Sequence, residues 1–371
     1  MSTAGRQTES AASDLSSALG EAGFVRLVAA ADADSVATAA ILASALGERG
    51  VPYQTSVTPF SEQTERGTDA DLTVGIGRQA GELTIGLDDA GTRTAYAVAS
   101  DFGEPDIALA LAGAVAAEGH PGEELASKAR KFGIERRPGI AVPTNDLVDG
   151  LTHSTLVHAP FSGNREAVEA LLGERTRSKT LNEADHRTVA SQVAVAVAGD
   201  PDGTARGARY VERLLRPLSG GPFGTIGGYA DVLDAVARER PGLAVVVALG
   251  GVDEERALDI WRDHGRRTHE TLDEASTGRY DGLFVCKCDG QPPVESVARL
   301  AAAYRSPEPV VLAVGEGVAA AHAQGDSADL GRVIAETAEE IGGSGDGTRS
   351  RGRATFEADS TEFVAAFKEK L

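Results

Sequence analysis

The stretch VRLVAAADADSVATAAILASAL, residues 25–46, decides the fold of this 371-residue chain. A short apolar run leads into two aspartates, Asp32 and Asp34, and an alanine-rich segment follows them. Short apolar runs favour buried strands, and the longer alanine-rich segment favours a helix. In an α/β sheet this order places both carboxylates at the carboxyl end of the first parallel strand, where open sheets bind ligands.

The same alternation of apolar runs and helical segments continues along the chain and predicts an α/β protein with parallel strands. Further strands are predicted at AYAVAS, residues 95–100, and at LAVVVALGG, residues 243–251. The chain is predicted to end in a helix, STEFVAAFKEKL, residues 360–371.

A chain of this length exceeds one ordinary hydrophobic core and predicts two domains. The glycine- and proline-rich segment 217–229 is the predicted hinge. The expected organisation is an N-terminal α/β domain over 1–185, a helical and glycine-rich connector over 186–228, and a C-terminal α/β domain over 229–371.

The composition is strongly acidic, with 56 Asp and Glu against 36 Lys and Arg and a net charge of -20. Such a surface resembles that of proteins from extreme halophiles, archaeal ones included. In ordinary salt this charge argues against nucleic acid as a partner, but molar salt weakens that argument because counterions compete for phosphate contacts. Apolar runs are of strand length and the N-terminus has no secretion signal, so we expect a cytoplasmic protein without a membrane partner.

Asp32 and Asp34 have two interpretations. Carboxylates at a strand end are the ligands that Mg²⁺ or Mn²⁺ prefers, and such ions activate water for phosphoester cleavage. An aspartate just before a helix also caps its free backbone N–H groups, here those near Ser35. The spacing alone leaves both open.

A second pair of candidate ligands, His264 and His269, lies in RDHGRRTHE, residues 262–270. A spacing of five residues does not put both imidazoles on one helix face. We therefore interpret this segment as a solvated helix and not as a metal site.

Two motifs identify a family resemblance. VAAADADSVATAAILASAL, residues 28–46, resembles the first motif of the DHH phosphoesterase superfamily, and IGGSGDGTRSRGRATF, residues 341–356, resembles the glycine-rich signature of its associated C-terminal (DHHA1) domain. The middle segment 152–174 is similar to archaeal RecJ-like members. The resemblance implies a DHH-like sheet domain and a DHHA1-like domain joined by a helical linker.

The chain departs from the family at its catalytic positions. Where a second acid is expected after a later strand, the sequence has Gly75 and Gly77. The Asp-His-His triplet is replaced by IGLDDAG, which leaves Asp88 and Asp89 as candidate catalytic residues beside Asp32 and Asp34. Near a later helix, where the family has a further aspartate, the sequence has Ala117 and Glu118.

A two-metal site needs several carboxylates and at least one imidazole to hold its cations. The residues that are left suit either no metal or one weakly bound Mn²⁺ or Mg²⁺ on Asp32 and Asp34. We therefore expect a catalytically degenerate pseudo-nuclease. The alternatives are a Mn/Mg-dependent single-strand exonuclease or phosphoesterase with a reduced site, and an unrelated α/β protein with accidental motifs.

The glycine-rich signature is the predicted phosphate- or nucleic-acid-binding element, because backbone N–H groups and arginines recognise phosphate. Its candidate residues are Gly342, Gly343, Gly345, Gly347, Thr348, Arg349 and Arg351. Alternating arginines also suit the solvent face of a strand. The resemblance implies single-stranded DNA or RNA and replication or repair proteins of the GINS and MCM type as partners.

Overall fold

The computed structural model describes residues 3–59, 69–87, 89–173, 182–251, 254–325 and 328–371, with side chains from residue 12 onward. The helices are α1 Thr3–Glu21, α2 Ala33–Glu48, α3 Gly91–Ser100, α4 Ile107–Glu118, α5 Glu123–Arg130, α6 Leu147–His153, α7 Arg165–Leu172, α8 Glu183–Ala198, α9 Gly207–Leu214, α10 Ile226–Glu239, α11 Pro241–Ala248, α12 Glu254–Glu274, α13 Val294–Leu300, α14 Leu330–Glu340 and α15 Ser360–Lys370. The strands are β1 Val25–Ala30, β2 Tyr53–Thr58, β3 Leu72–Ile76, β4 Leu83–Ile85, β5 Glu135–Arg136, β6 Leu218–Ser219, β7 Ser276–Tyr280, β8 Leu283–Lys287, β9 Val310–Val314, β10 Val318–Ala323, β11 Ser344–Gly347 and β12 Arg351–Thr355.

The chain divides into two compact units, and the first is discontinuous. It comprises Met1–Glu135 and Leu218–Ile260, whereas the second comprises Arg136–Pro217 and Trp261–Leu371. The predicted domain boundaries at 185 and 228 do not coincide with this division. The reason is that α10, predicted to open the C-terminal domain, packs on α2 and α4 of the first unit.

The first unit is built on a four-stranded parallel sheet of order β2-β1-β3-β4. All six residues of β1 are buried, which explains its nearly continuous apolar sequence. Helix α2 packs beside β1 and contacts α3, α4 and α10. The α/β class predicted from the sequence is confirmed.

Two predicted strands of the first unit are helices. Residues 95–100 belong to α3, and residues 243–248 belong to α11, whose first residue is Pro241. Short apolar runs do not distinguish a buried strand from a buried helix by periodicity. Proline at the first helical position suits α11, because its missing N–H has no intrahelical partner there.

The second unit is built on a six-stranded mixed sheet of order β11-β12-β10-β9-β8-β7, in which only β8 and β9 pair in parallel among the described strands. Side chains alternate along its strands. Val311 and Ala313 of β9 join a core with α13, whereas Val310 and Leu312 join a core with α14 and α15. The predicted C-terminal helix is α15.

Candidate functional site

The carboxyl edge of the first sheet carries the candidate acidic residues. Ala30 of β1 lies opposite Thr58 of β2, and Ala29 lies opposite Ile76 of β3. Residues that follow these strands therefore meet at one edge, as in other open α/β sheets.

Asp32 caps helix α2. It has extended backbone angles, and its Oδ1 accepts a hydrogen bond of 2.9 Å from the backbone N of Ser35. This contact is the helix cap that the sequence offered as one of two interpretations of Asp32. The metal role of Asp32 stays a prediction.

Asp34 is buried and binds the beginning of α3. Its Oδ2 accepts from the backbone N of Gly91 at 2.8 Å. Its Oδ1 accepts from the backbone N of Thr92 at 3.2 Å and from Thr92 Oγ1 at 2.7 Å. Burial, reinforced by the nearby charge of Asp32, raises the pKa of Asp34 from 3.8 to about 7 even though these hydrogen bonds act in the opposite direction.

Helix α3 begins at carboxylates from other helices. Its N-cap residue, Ala90, has no capping side chain, but its backbone N donates to Oε1 of Glu118 at 3.2 Å. Glu118 also forms an ion pair with Arg93. The carboxylates of Asp34 and Glu118 thus accept hydrogen bonds from backbone N–H groups at the start of α3. These contacts from other helices favour a helix at residues 91–100.

Asp234 is a residue that sequence reasoning missed. It lies on α10, and its Oδ1 accepts from the backbone N of Ala33, between the two aspartates, at 3.3 Å. Arg238 holds the same carboxylate through two hydrogen bonds of 3.0 and 3.1 Å. The i,i+4 spacing of Asp234 and Arg238 is visible in the sequence, but its location beside Ala33 depends on the return of the chain to the first unit.

The structure does not gather the remaining candidates into a metal site. Asp89 is exposed, and Asp88 lies outside the described residues. Within the described ranges, no three His, Cys, Asp or Glu side chains are arranged to hold a metal ion.

Arg78 brings positive charge to the same edge of the sheet. Its side chain is 3% exposed and donates to the backbone O of Thr58 at 2.9 Å and to Thr58 Oγ1. Because β1 lies between β3 and β2, the side chain reaches past the carboxyl end of β1. Its guanidinium is therefore held at the carboxyl edge of the sheet by the end of β2.

Gly75 and Gly77 have no room for an acidic side chain. A Cβ at Gly75 would lie 2.6 Å from the backbone O of Arg78. Gly77 has a φ of +66°, and a Cβ there would lie 2.1 Å from Ser35 Oγ. The backbone thus leaves no space for a side chain at either position.

These residues do not fit a pair of divalent cations. Asp32, Asp34 and Glu118 already accept hydrogen bonds from backbone N–H groups, and Arg78 supplies a fixed positive charge. A two-metal centre instead requires carboxylates that are free to bridge both ions.

The glycines of the C-terminal signature allow backbone segments to approach closely. Gly342, with φ of +77°, ends α14. Cβ atoms at Gly343 and Gly347 would lie 2.1 Å from the backbone O of Thr355 and 2.2 Å from that of Arg351. At Gly345, the Cβ would lie 3.0 Å from a backbone O of α14.

Several backbone N–H groups of this signature are used internally. Gly343 N donates to Ala338 O at 2.7 Å, and Thr348 N donates to Arg351 O at 2.7 Å. The carbonyls of Thr348 and Arg349 accept from the first residues of α14. The predicted phosphate-binding role stays a prediction, and these bonds give the loop a packing role.

Charge in the β11–β12 hairpin is paired across the strands. Arg353 Nε donates to Asp346 Oδ1 at 2.8 Å, and its Nη1 lies 3.6 Å from Glu295 Oε1. Arg349 is exposed and Arg351 is half-buried. Neither of these two arginines forms an ion pair with any other residue in the described part of the chain.

The interpretation of the helix around His264 as solvated is wrong for its histidines, which are both buried. His264 Nε2 lies 2.9 Å from Ser296 Oγ. His269 Nε2 lies 3.1 Å from the backbone O of Ser154, and its Nδ1 lies 3.1 Å from Nδ1 of His158. Burial lowers the pKa of His269 to about 3.

Comparison with known proteins gives one full-length relative. The chain is 46% identical, over 377 residues, to the uncharacterized protein rrnAC1427 of Haloarcula marismortui, and the match covers 100% of both chains. A family model described as the C-terminal domain of uncharacterized protein rrnAC1427 matches residues 275–369.

Among solved structures, CDC45 from Entamoeba histolytica is similar with a TM-score of 0.61 at 10% identity, covering 99% of each chain. Exonuclease RecJ bound to manganese gives a TM-score of 0.47 at 15% identity, covering 98% of this chain and 92% of RecJ. The likeness to CDC45 shows the fold alone, over the whole chain. The predicted membership of the DHH superfamily stays a prediction.

None of the described helices combines the length and the apolar character that crossing a bilayer requires.

Proposed function

Since this chain belongs to the family of the Haloarcula marismortui protein rrnAC1427 and shares the fold of CDC45, we propose that it is a catalytically inactive, RecJ-like scaffold or single-strand-binding subunit of DNA replication or repair. This role follows the resemblance to inactive RecJ relatives that accompany GINS and MCM proteins.

The observation that carries the proposal is that the carboxylates at the carboxyl edge of the first sheet already accept hydrogen bonds from the chain itself. Asp34 binds the start of α3, and Asp32 caps α2. Arg78 adds a buried guanidinium at the same edge of the sheet, bonded to Thr58. Carboxylates committed to amides and a fixed guanidinium favour a packed core over a hydrolytic centre.

The hairpin of the second unit supports a binding role. Asp346 supplies Arg353 with an anionic partner. Arg349 and Arg351 remain for an external phosphate, on a protein whose net charge is -20. Arginine is well suited to phosphate because its planar guanidinium donates two parallel hydrogen bonds.

The test is a nuclease and binding assay on the full chain in molar KCl with Mn²⁺. Labelled single-stranded DNA, single-stranded RNA and short oligonucleotides are the substrates. We expect no turnover, and binding that weakens in an Arg349→Ala, Arg351→Ala variant. Turnover that disappears in an Asp32→Ala, Asp34→Ala variant would overturn the proposal of inactivity.

Association with the replication machinery is tested separately. Purified GINS and MCM proteins of the same organism are mixed with the chain and analysed by sedimentation in molar KCl. We expect a complex with at least one of them. If the chain formed no complex with these proteins and also bound no single strand, the scaffold role would be overturned.

One observation favours the second candidate, a phosphoesterase with a reduced metal site. Asp32 contributes to the raised pKa of Asp34, so the two carboxylates repel each other. A cation would relieve that repulsion. Calorimetric titration with Mn²⁺ distinguishes the candidates, because only the second predicts a binding isotherm that is lost in Asp32→Ala.

A further inference from the structure

Helix α11 of the first unit is apolar around its whole circumference. Its sequence, PGLAVVVA, contains no charged residue. Such helices are normally buried, since an apolar face in water is unfavourable. Yet Val246 is 41% exposed and Leu249, which follows the helix, is 45% exposed.

An open cavity of about 270 Å³ lies next to this helix, lined by residues of α2, α4 and the end of α11. Apolar side chains form part of its lining, among them the buried Ile41, Ala45 and Leu109. A cavity of roughly 150 Å³ accommodates a benzene ring, so this one has room for a large apolar side chain.

The rim of the cavity is acidic. Glu48 and Glu104 are exposed at its mouth, and Asp106, also exposed, caps α4. The nearest residue of opposite charge along the chain, Arg49, is placed over the ring of Phe102. A ligand that enters the apolar cavity therefore meets negative charge at its edge.

We propose that the apolar face of α11 and the adjoining cavity form a docking site for a segment of a partner protein that inserts a bulky apolar side chain flanked by lysine or arginine. The exposed Val246 and Leu249 and the apolar part of the cavity lining supply the anchor site, and the carboxylates select the flanking positive charges. This inference rests on the proposed scaffold function and names the chemistry of one partner contact.

A second copy of the chain fits the site poorly. The whole protein carries a net charge of -20, and a two-fold contact would bring Glu48 and Glu104 of both copies to one interface. Charge complementarity therefore favours a basic partner over self-association.

The test is selection from a displayed library of random peptides against the full chain in the lowest KCl concentration that keeps it folded, because molar salt screens exposed carboxylates. Counter-selection uses Ala45→Leu, which fills the cavity. We expect enriched peptides to share a bulky apolar residue with Lys or Arg within one helical turn. Their affinity should fall about tenfold in the Glu48→Lys, Glu104→Lys variant and remain unchanged in the matched Asp14→Lys, Glu21→Lys control on α1.

Three results would overturn the docking site: peptides that bind the filled and unfilled chains equally, enrichment of acidic peptides, and a dimer in sedimentation that becomes monomeric in Leu249→Ser. Leu249→Ser leaves the cavity open and is exposed, so it keeps the test valid if Ala45→Leu unfolds. None of these results involves turnover, so failure of the docking site is distinct from failure of the proposed inactivity.

Discussion

Thr92 Oγ1 donates a 2.7 Å hydrogen bond to Oδ1 of Asp34, a residue 58 positions earlier in the chain. This bond joins the second aspartate after β1 to the beginning of α3. The contact ties α2 to α3 inside the first unit, so a residue type associated with metal binding here stabilises the fold.

The first prediction concerns this contact. Asp34→Ala leaves two backbone N–H groups and the Thr92 hydroxyl without their acceptor, and we expect a loss of about 2–3 kcal/mol in the free energy of unfolding. Asp34→Asn keeps one oxygen and should cost less. Denaturant unfolding in molar KCl at pH 7 measures both, with Asp14→Asn on α1 as the exposed control. Equal losses for Ala and Asn would contradict the capping role.

The second prediction is the pH dependence of the same residue. The pKa of Asp34 is raised from 3.8 to about 7, so between these values the native state binds a proton that the unfolded state has lost. Its contribution to stability is therefore complete below pH 4 and is lost as pH rises through about 7, with a slope of up to about 1.4 kcal/mol per pH unit.

Asp34→Asn removes this titration. Relative to wild type, the free energy of unfolding of Asp34→Asn should increase from pH 5 to pH 7.5. A difference between the two proteins that stays constant over this range would show that Asp34 does not titrate there.

The sequence predicted the start of the first unit well because its signals are local. Strand β1 is a buried apolar run, and Asp32 immediately precedes the helix that it caps. Helix α3 was predicted as a strand since its capping carboxylates, Asp34 and Glu118, come from other helices. No local pattern contains that information.

The predicted site was incomplete for the same reason. Asp234 reaches Ala33 only because the chain returns to the first unit at Leu218, which the predicted boundary at 228 did not anticipate. The closure of the sheet edge around Gly77 likewise depends on Ser35 of a different element. The sequence pattern located the aspartates after β1, and tertiary contacts determine which groups they bind.

The third prediction tests whether Arg78 provides the positive charge of the acidic edge. Arg78→Met removes a buried guanidinium and its hydrogen bonds to Thr58, so we expect a loss of about 2–3 kcal/mol in stability. Mn²⁺ should then raise the melting temperature of this variant and leave that of wild type unchanged. Arg78→Lys retains the charge and is the matched control. The same Mn²⁺ response in all three proteins would refute the role of Arg78.

The fourth prediction concerns the ion pair of the glycine-rich hairpin. The side chains of Arg353 and Asp346 are only 11% and 16% exposed, so solvent screens their interaction weakly. A double-mutant cycle with Arg353→Gln and Asp346→Asn should give a coupling free energy of about 1–2 kcal/mol. The exposed pair Arg187–Glu183 on α8 is the control and should give less than about 0.5 kcal/mol. Coupling of similar size in both pairs would argue against a buried internal pair.

The fifth prediction follows from the buried histidines of the second unit. His269 Nε2 lies 3.1 Å from the backbone O of Ser154, which can only accept, so this nitrogen donates and Nδ1 of His269 accepts from Nδ1 of His158. Nε2 of His158 lies 2.8 Å from Arg305 Nη2 and 3.3 Å from Asp273 Oδ1. His269 is neutral in this chain of hydrogen bonds.

His269→Phe interrupts that chain and should cost about 2–3 kcal/mol at pH 7.5, because His158 and the Ser154 carbonyl lose their partner. The pKa of His269 is lowered from 6.5 to about 3, so its contribution to stability is present above pH 6.5 and is lost as pH falls toward 3. The cost of His269→Phe should therefore shrink between pH 7 and pH 4.5, opposite in sign to the effect at Asp34. Exposed His120→Phe is the control, and nitrogen-15 spectra should show the proton of His269 on Nε2. A cost that grows on acidification, or a proton on Nδ1 of His269, would rule out this arrangement.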